Sequence, residues 1–495
     1  MHIVDRQTLR NSLTLLSISL FTGVLIALLA ERLTLLEVVL FVTGIPIALY
    51  GIPAFLLAMI KVKRLLRRLR WWHILWLLVF LSGQTFRIRT TEAIQENLLD
   101  ATALYRIGLM GIVGIVLLSV FTLRWSSKIS NIFRGLIGAL TVYALISGLS
   151  ALWSVHPSLT LYKSLEYFTE VALIASIIGW VKHPRDFKSL FDWTWFLVGL
   201  LMLSIWLGVL LWPNEAILYN IGVLGIQIQG VFPKVAANGV GDLGALIGIV
   251  SFVRFLYVQG KSRRFYLLVF LFALVTLVFS QSRSPLTGFV LAVTLILLLD
   301  HRITFVVFAG FSLPFLLLLT PAGDFFWQFF LRNQSEFLFF SLSGRLFYWE
   351  SALPLILEQP IQGYGAYAAG RFLVATQFSE TLSSLHGTWP EVLIGTGVIG
   401  IIPLLIAVVG TWRVLLRGFN KRYVETSSAI QQLHLEAVGT MTLLTVRSFF
   451  SVSFIWHPAL TWLLVLGYAE YLRRNYVPSR YLLSRAQRQR GDHSG

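Results

Sequence analysis

Three side chains in the second half of the sequence are suited to handling a negatively charged group and a proton. Arg283 stands in Ser280-Gln-Ser-Arg-Ser284, a tight turn between two apolar runs. Arg345 opens the stretch Gly344-Arg-Leu-Phe-Tyr-Trp-Glu350, and Tyr348 and Trp349, three and four residues on, share its face if the stretch is helical. His386 stands in Leu385-His-Gly-Thr-Trp389, just before another apolar run. A guanidinium matches phosphate oxygens at two points and keeps its charge at working pH. A neutral imidazole titrates near working pH and can take a proton from a hydroxyl. The set suits the departure of a pyrophosphate carried on a lipid and the attack of a hydroxyl acceptor, with fixed arginines taking the growing charge in place of a metal. Nearby aromatics offer flat faces for sugar rings and an apolar path for a prenyl chain.

Each candidate also has a plainer reading. Arg283 could snorkel to lipid headgroups, Arg345 could lie over surface aromatics, and a lone histidine is often structural. Lys163, Glu166 and Glu170 share one helical face and read either as an internal ion-pair cluster or as part of a substrate site. Asn238 and Asp242, one turn apart, read the same way, with Asn238 a substrate-binding candidate. Glu37, His434, Glu436, Arg447 and His457 are isolated polar residues without an assigned role.

Other chemistries are set aside. The chain has no cysteine, which removes thiolate nucleophiles, disulfides, iron–sulfur clusters and Cys-ligated zinc. It has no Asp-x-Asp pair, no two histidines at metal-ligand spacing and no Walker loop, so neither metal nor cofactor is expected. Gly395-Thr-Gly-Val-Ile-Gly400 spells a dinucleotide fingerprint by letter, but it lies within an apolar run and not after a strand. Small residues there read as a site of close helix packing.

The elements that must position these groups are membrane helices. Of 495 residues, 56% are hydrophobic and only 13% charged, a composition that excludes an ordinary soluble enzyme and a disordered scaffold. Mean hydropathy is +0.76. Runs long enough to cross about 30 Å of hydrocarbon number about fourteen, near 11–30, 34–60, 71–86, 107–123, 135–153, 164–181, 193–212, 236–258, 265–281, 284–300, 303–320, 389–412, 430–449 and 456–472. The expected fold is an all-α polytopic membrane protein, a single membrane domain over 1–495. Most of the 40 Lys and Arg fall in alternate loops if both termini are cytoplasmic, so the net charge of +17 reads as topology and not as nucleic-acid binding. The tail 473–495 reads as a basic cytoplasmic anchor. The first span lacks a clear cleavage site. One long outer segment, 321–388, is rich in aromatics and contains an amphipathic helix over 344–358, which Ser343 could cap. It is expected to lie on the membrane surface. A second outer loop, 213–235, is punctuated by Pro and Gly.

The order of these features resembles the O-antigen ligase and O-antigen polymerase superfamily. The matching residues are Ser-Arg-Ser at 282–284, Gly-Arg-x-x-x-Trp at 344–349, Pro-x-x-Gly-x-Gly at 360–365, His386 and the glycine-rich span at 395–400. The resemblance covers about 280–402 and is topological elsewhere. It implies a metal-independent glycosyltransferase of the bacterial cytoplasmic membrane, with its site on the outer face. The implied donor is a glycan on undecaprenyl pyrophosphate. The implied acceptor is a second lipid-linked glycan (polymerase), lipid A–core or another acceptor (ligase), or a protein in an O-glycosylating relative, with polysaccharide-assembly proteins as partners. It carries diphosphate binding onto Arg283 and Arg345, the acceptor-side role onto His386, and a polar site position onto Asn238. Where the family commonly has Asn after the histidine, this chain has Gly387. The extra spans favour a polymerase. The rival class, a flippase for lipid-linked sugars, would call for polar groups at mid-membrane and related halves, which the sequence lacks.

Overall fold

A computed structural model describes residues 57–86, 89–123, 131–308, 310, 312, 322–332, 334–379, 381–419 and 428–476. The expected spans at 11–30, most of 34–60 and most of 303–320, together with Glu37 and the tail beyond 476, lie outside the described residues.

The described chain is mostly helical. Six of its helices are long and apolar enough to cross a membrane: α2 (Ala101–Leu123), α3 (Gly135–Leu149, continued by a 3-10 turn to Leu152), α5 (Pro184–Leu211), α6 (Ala237–Tyr257), α7 (Lys261–Phe279) and α12 (Thr388–Arg417). Two apolar helices are shorter, α1 (Trp71–Ser82) and α8 (Arg283–Leu299). Helices also form at the expected 164–181, 430–449 and 456–472, as α4 (Pro157–Trp180), α13 (Ser428–Ser448) and α14 (Leu460–Tyr476). These three are less apolar because each buries charge: Glu166 and Glu170, Glu436 and Arg447, and Glu470.

The chain packs as two compact units, one made of Met1–Lys63 with Gly199–Phe340, the other of Arg64–Val198 with Ser341–Gly495. The second unit closes around fully buried aromatics, among them Trp76, Tyr143, Tyr167, Phe187, Phe454 and Trp462. Its helices alternate in direction, so its loops gather at two ends. One end is basic. There Arg70 pairs with Asp186 at 2.7 Å, and Glu470 takes Arg473 and Arg474 at 2.8 and 2.6 Å. The other end collects residues 83–86, 89–100, 150–157, 359–379, 381–388 and 449–459. Ties such as Val155 N–H to Tyr364 O at 3.0 Å and Thr388 Oγ1 to Ser451 O at 3.0 Å hold that end together.

The glycine-rich run in α12 is a close-packing site, and the packing is of backbone. The helix breaks at Gly397 (φ 60°, ψ −157°), a conformation that only glycine adopts readily. The turn segment 360–365 fills the break. Tyr364 N–H donates to Ile394 O at 2.9 Å and Gly365 N–H to Gly395 O at 2.8 Å. In return, Val398 N–H donates to Pro360 O at 2.9 Å and Ile399 N–H to Ile361 O at 3.2 Å. Main-chain groups freed by the break thus find partners inside the protein, as an apolar surrounding requires.

In the first unit, α6 lies against α7 with glycines at the crossing; a side chain at Gly244 would stand 2.7 Å from Leu277 N. A hairpin of β1 (Ile217–Tyr219) and β2 (Ile226–Ile228), antiparallel with Leu218 opposite Gln227, forms in the 213–235 loop. The long 321–388 segment contains α9 (Ala322–Leu331) and α10 (Glu336–Phe340), which expose Phe326, Trp327, Phe337 and Phe340. It also contains α11 (Arg345–Glu358) of the second unit. The expected Ser343 cap of α11 does not form. Gly344, left-handed at φ 83°, occupies the N-cap without a side-chain bond, and Leu342 and Ser343 before it are left-handed as well.

Candidate functional site

In the second unit, α11 and the start of α12 bring Arg345, Tyr348, Trp349 and His386 together. The left-handed turn at 342–344 delivers Arg345 at the first position of α11, where its Nη1 donates to Leu342 O at 2.8 Å. Its guanidinium lies 5.9 Å from the centre of the Phe450 ring. Tyr348 stacks edge-on against Phe378 at 4.6 Å and stands 6.2 Å from the His386 ring.

His386 is itself left-handed (φ 54°), and the residue before it is held from both sides. Trp349 Nε1 donates to Leu385 O at 3.0 Å. Leu385 N–H donates to the buried Glu391 carboxylate at 2.9 Å. With both main-chain groups of Leu385 fixed, the imidazole has a set origin. The Gly387 departure has a steric reason: a side chain there would come within 2.9 Å of Pro390 Cγ and 3.3 Å of Trp349 Cζ2. Burial, together with the guanidinium groups of Arg345 and Arg447, pulls the His386 imidazole down from 6.5 to about 4. The ring is therefore neutral at pH 7 and able to accept a proton.

In the first unit, the turn carrying Arg283 is rigidly built. Ser280, Gln281 and Ser282 are buried. Gln227 on β2 donates to Ser280 O at 2.8 Å, and Gln281 Nε2 donates to Ile221 O and Ile226 O at 2.7 and 2.6 Å. Ser282 Oγ donates to Asn238 Oδ1 at 2.6 Å, so Asn238 anchors the residue next to Arg283. Arg283 Nη2 donates to Gln334 Oε1 at 2.6 Å, and its guanidinium lies 5.2 Å above the Phe339 ring. A second guanidinium, Arg332, lies close enough to repel it; burial lowers the pKa of Arg332.

The expected Lys163–Glu166–Glu170 group divides in two. Lys163 pairs with Glu166 at 2.7 Å, and Arg106 approaches the same carboxylate at 3.4 Å. Glu170 instead takes His457 Nδ1 and Ala459 N–H, while His457 Nε2 meets Ser82 Oγ at 3.0 Å. His434 bonds Leu415 O, and Glu436 bonds Trp195 and Gln432, which gives both an internal structural role.

Glu391, Arg447, Arg332 and Gln334 were not among the site residues expected from sequence. Glu391 and Arg447 did carry a signal, each being a charge close to the end of an apolar run. Arg332 and Gln334 sit among aromatics and carried none.

Residues 268–405 match the family model described as O-antigen ligase. The matched stretch contains Arg283, Arg345 and His386, and the match supports the superfamily that the motif order indicated. No curated protein matches the chain.

Proposed function

We propose that a chain with this domain is a membrane glycosyltransferase. In this reading it moves a glycan from undecaprenyl pyrophosphate to a hydroxyl acceptor at the outer face of a bacterial inner membrane. The acceptor oxygen attacks the anomeric carbon, the bond from that carbon to the diphosphate oxygen breaks, and the diphosphate leaves with the bonding pair. His386 takes the hydroxyl proton, and Arg283 and Arg345 bind the diphosphate, whose charge grows as the bond breaks. The observation that carries the reading is the His386 imidazole set against the Tyr348–Trp349 face of the helix that Arg345 opens, all inside the matched stretch. A diphosphate on Arg345 would offset the pull of that guanidinium on the ring and make His386 a better base when donor is bound.

The test is reconstitution of the full chain in liposomes with lipid-linked repeat units and no second protein. A lengthened or transferred glycan is the expected product. Movement of the lipid-linked sugar across the bilayer without transfer would replace this reading with the flippase.

A further inference from the structure

Besides the His386 group, the loop end of the second unit carries a second set of donors. Arg106 of α2 and Lys163 of α4 converge on one carboxylate, Glu166, which is only 3% exposed. The Arg106 and Lys163 side chains are themselves 18% and 15% exposed. The Tyr162 hydroxyl is buried beside the same carboxylate without closing a hydrogen bond of normal geometry, and Arg106 Nε, ion-paired to it at 3.4 Å, closes none either. Arg89, close enough to act on both Tyr162 and Lys163, is already paired with Asp100 at 2.9 Å. Three cations thus face two carboxylates, an excess of positive charge lined by N–H and O–H donors. Such a set recognises an anion.

Its surroundings narrow the ligand. Leu104, Leu161 and Leu165, on the turns of α2 and α4 that carry the cluster, are exposed large apolar side chains, and Ile112, Ile115 and Leu118 continue that exposure along α2. An anion with a hydrocarbon tail fits both features; a free anion uses only one. The cluster also connects to His386. Arg371 donates to Thr91 Oγ1 at 2.9 Å and to Arg89 O at 3.0 Å. Its neighbour Gly370 abuts the Glu391 carboxylate that holds Leu385.

We propose that Arg106, Lys163 and Tyr162 form a receptor for a phosphate at the head of a membrane lipid, and that this lipid anchors the glycan acceptor. The assignment to the acceptor rests on the transfer reading; the lipid-phosphate site does not. The test uses the full chain in phosphatidylcholine nanodiscs, with phosphatidic acid as the probe, diacylglycerol as the phosphate-free control, and native mass spectrometry to read bound lipid. Wild type retains phosphatidic acid over diacylglycerol. Arg106→Gln weakens that retention by about tenfold, the scale of one charge-assisted contact, while Arg106→Lys keeps most of it. Equal retention of the two lipids by wild type, or an equal loss in the Gln and Lys variants, overturns the site. In the transfer assay, Arg106→Gln raises KM for a lipid-linked acceptor and leaves kcat in place. If phosphatidic acid binding falls while that KM stays put, the site serves bulk phospholipid and the acceptor assignment is overturned. If wild type binds phosphatidic acid selectively yet transfers nothing, the lipid site stands and the transfer reading falls.

Discussion

Replacing Arg447 with Gln removes a buried charge that acts on His386 without changing the histidine. The imidazole falls from 6.5 to about 4, with burial the largest cause and Arg345 and Arg447 the next two. A unit charge about 8 Å away is worth about 0.5 kcal/mol in water and about 2 kcal/mol at an effective dielectric constant of about 20. Because burial takes the larger share of the fall, the expected change on losing one arginine is about half to one pH unit upward. The assay is kcat/KM for glycan transfer from about pH 4 to about pH 8, which reports the free enzyme, with kcat followed alongside for the donor-bound form. Protonated His386 cannot act as a base, so activity is lost as pH falls through its pKa. Wild type should therefore lose kcat/KM only near pH 4, and Arg447→Gln at higher pH. Bound diphosphate offsets the Arg345 charge, so the acid limb of wild-type kcat should lie above that of kcat/KM. An acid limb in Arg447→Gln that stays put or moves to lower pH refutes the argument.

Arg283→Ala and Arg345→Ala should each lower transfer by roughly 10²-fold, the scale for losing one donor to a developing charge; near-normal rates in both would remove the diphosphate role. Glu391→Ala leaves Leu385 N–H without its acceptor and should cost about 1–2 kcal/mol, read as a lower unfolding temperature, with turnover falling more than donor affinity. Glu391→Gln, which can still accept that bond, should recover most of both. Gly397→Ala forces a side chain into a left-handed break within 2.6 Å of Pro360 O and should cost about 3 kcal/mol or more, measured by thermal unfolding in detergent. Stability should also fall with acid. His386 is held at about 4 in the fold against 6.5 in its absence, so the unfolded chain binds more protons between those values. The loss as pH drops through that window is about 2 kcal/mol after solvent screening, and His386→Gln should remove it.

Much of the helical framework could be read from apolar runs, because length and apolarity act locally. Helices form at each expected span from 71–86 to 284–300 and again from 389–412 onward. Arg345, Tyr348, Trp349 and His386 were also legible as a group, since a helical face joins the first three and a loop of the same segment returns the fourth. What the sequence could not give were partners set by tertiary contact. Asn238 reaches the Arg283 turn across 44 positions through Ser282. Lys163 is drawn to Arg106 by a shared carboxylate. Ser343 looked like a helix cap by residue type, but the chain reverses there through three left-handed residues, and Gly344 takes the cap position. Arg447 read as an isolated charge because its effect on His386 depends on how α13 packs.

The four main-chain bonds between 360–365 and the break in α12 make that loop a rivet in the bundle wall. A segment so fastened cannot swing out as a flap. Any movement of the flanking chain must pivot elsewhere, with the left-handed turn at 342–344 on one side and the exposed Thr381 on the other as the available hinges. A protease cut near Thr381 would therefore leave two fragments that stay clasped, with α11 still docked and only the tether to His386 severed.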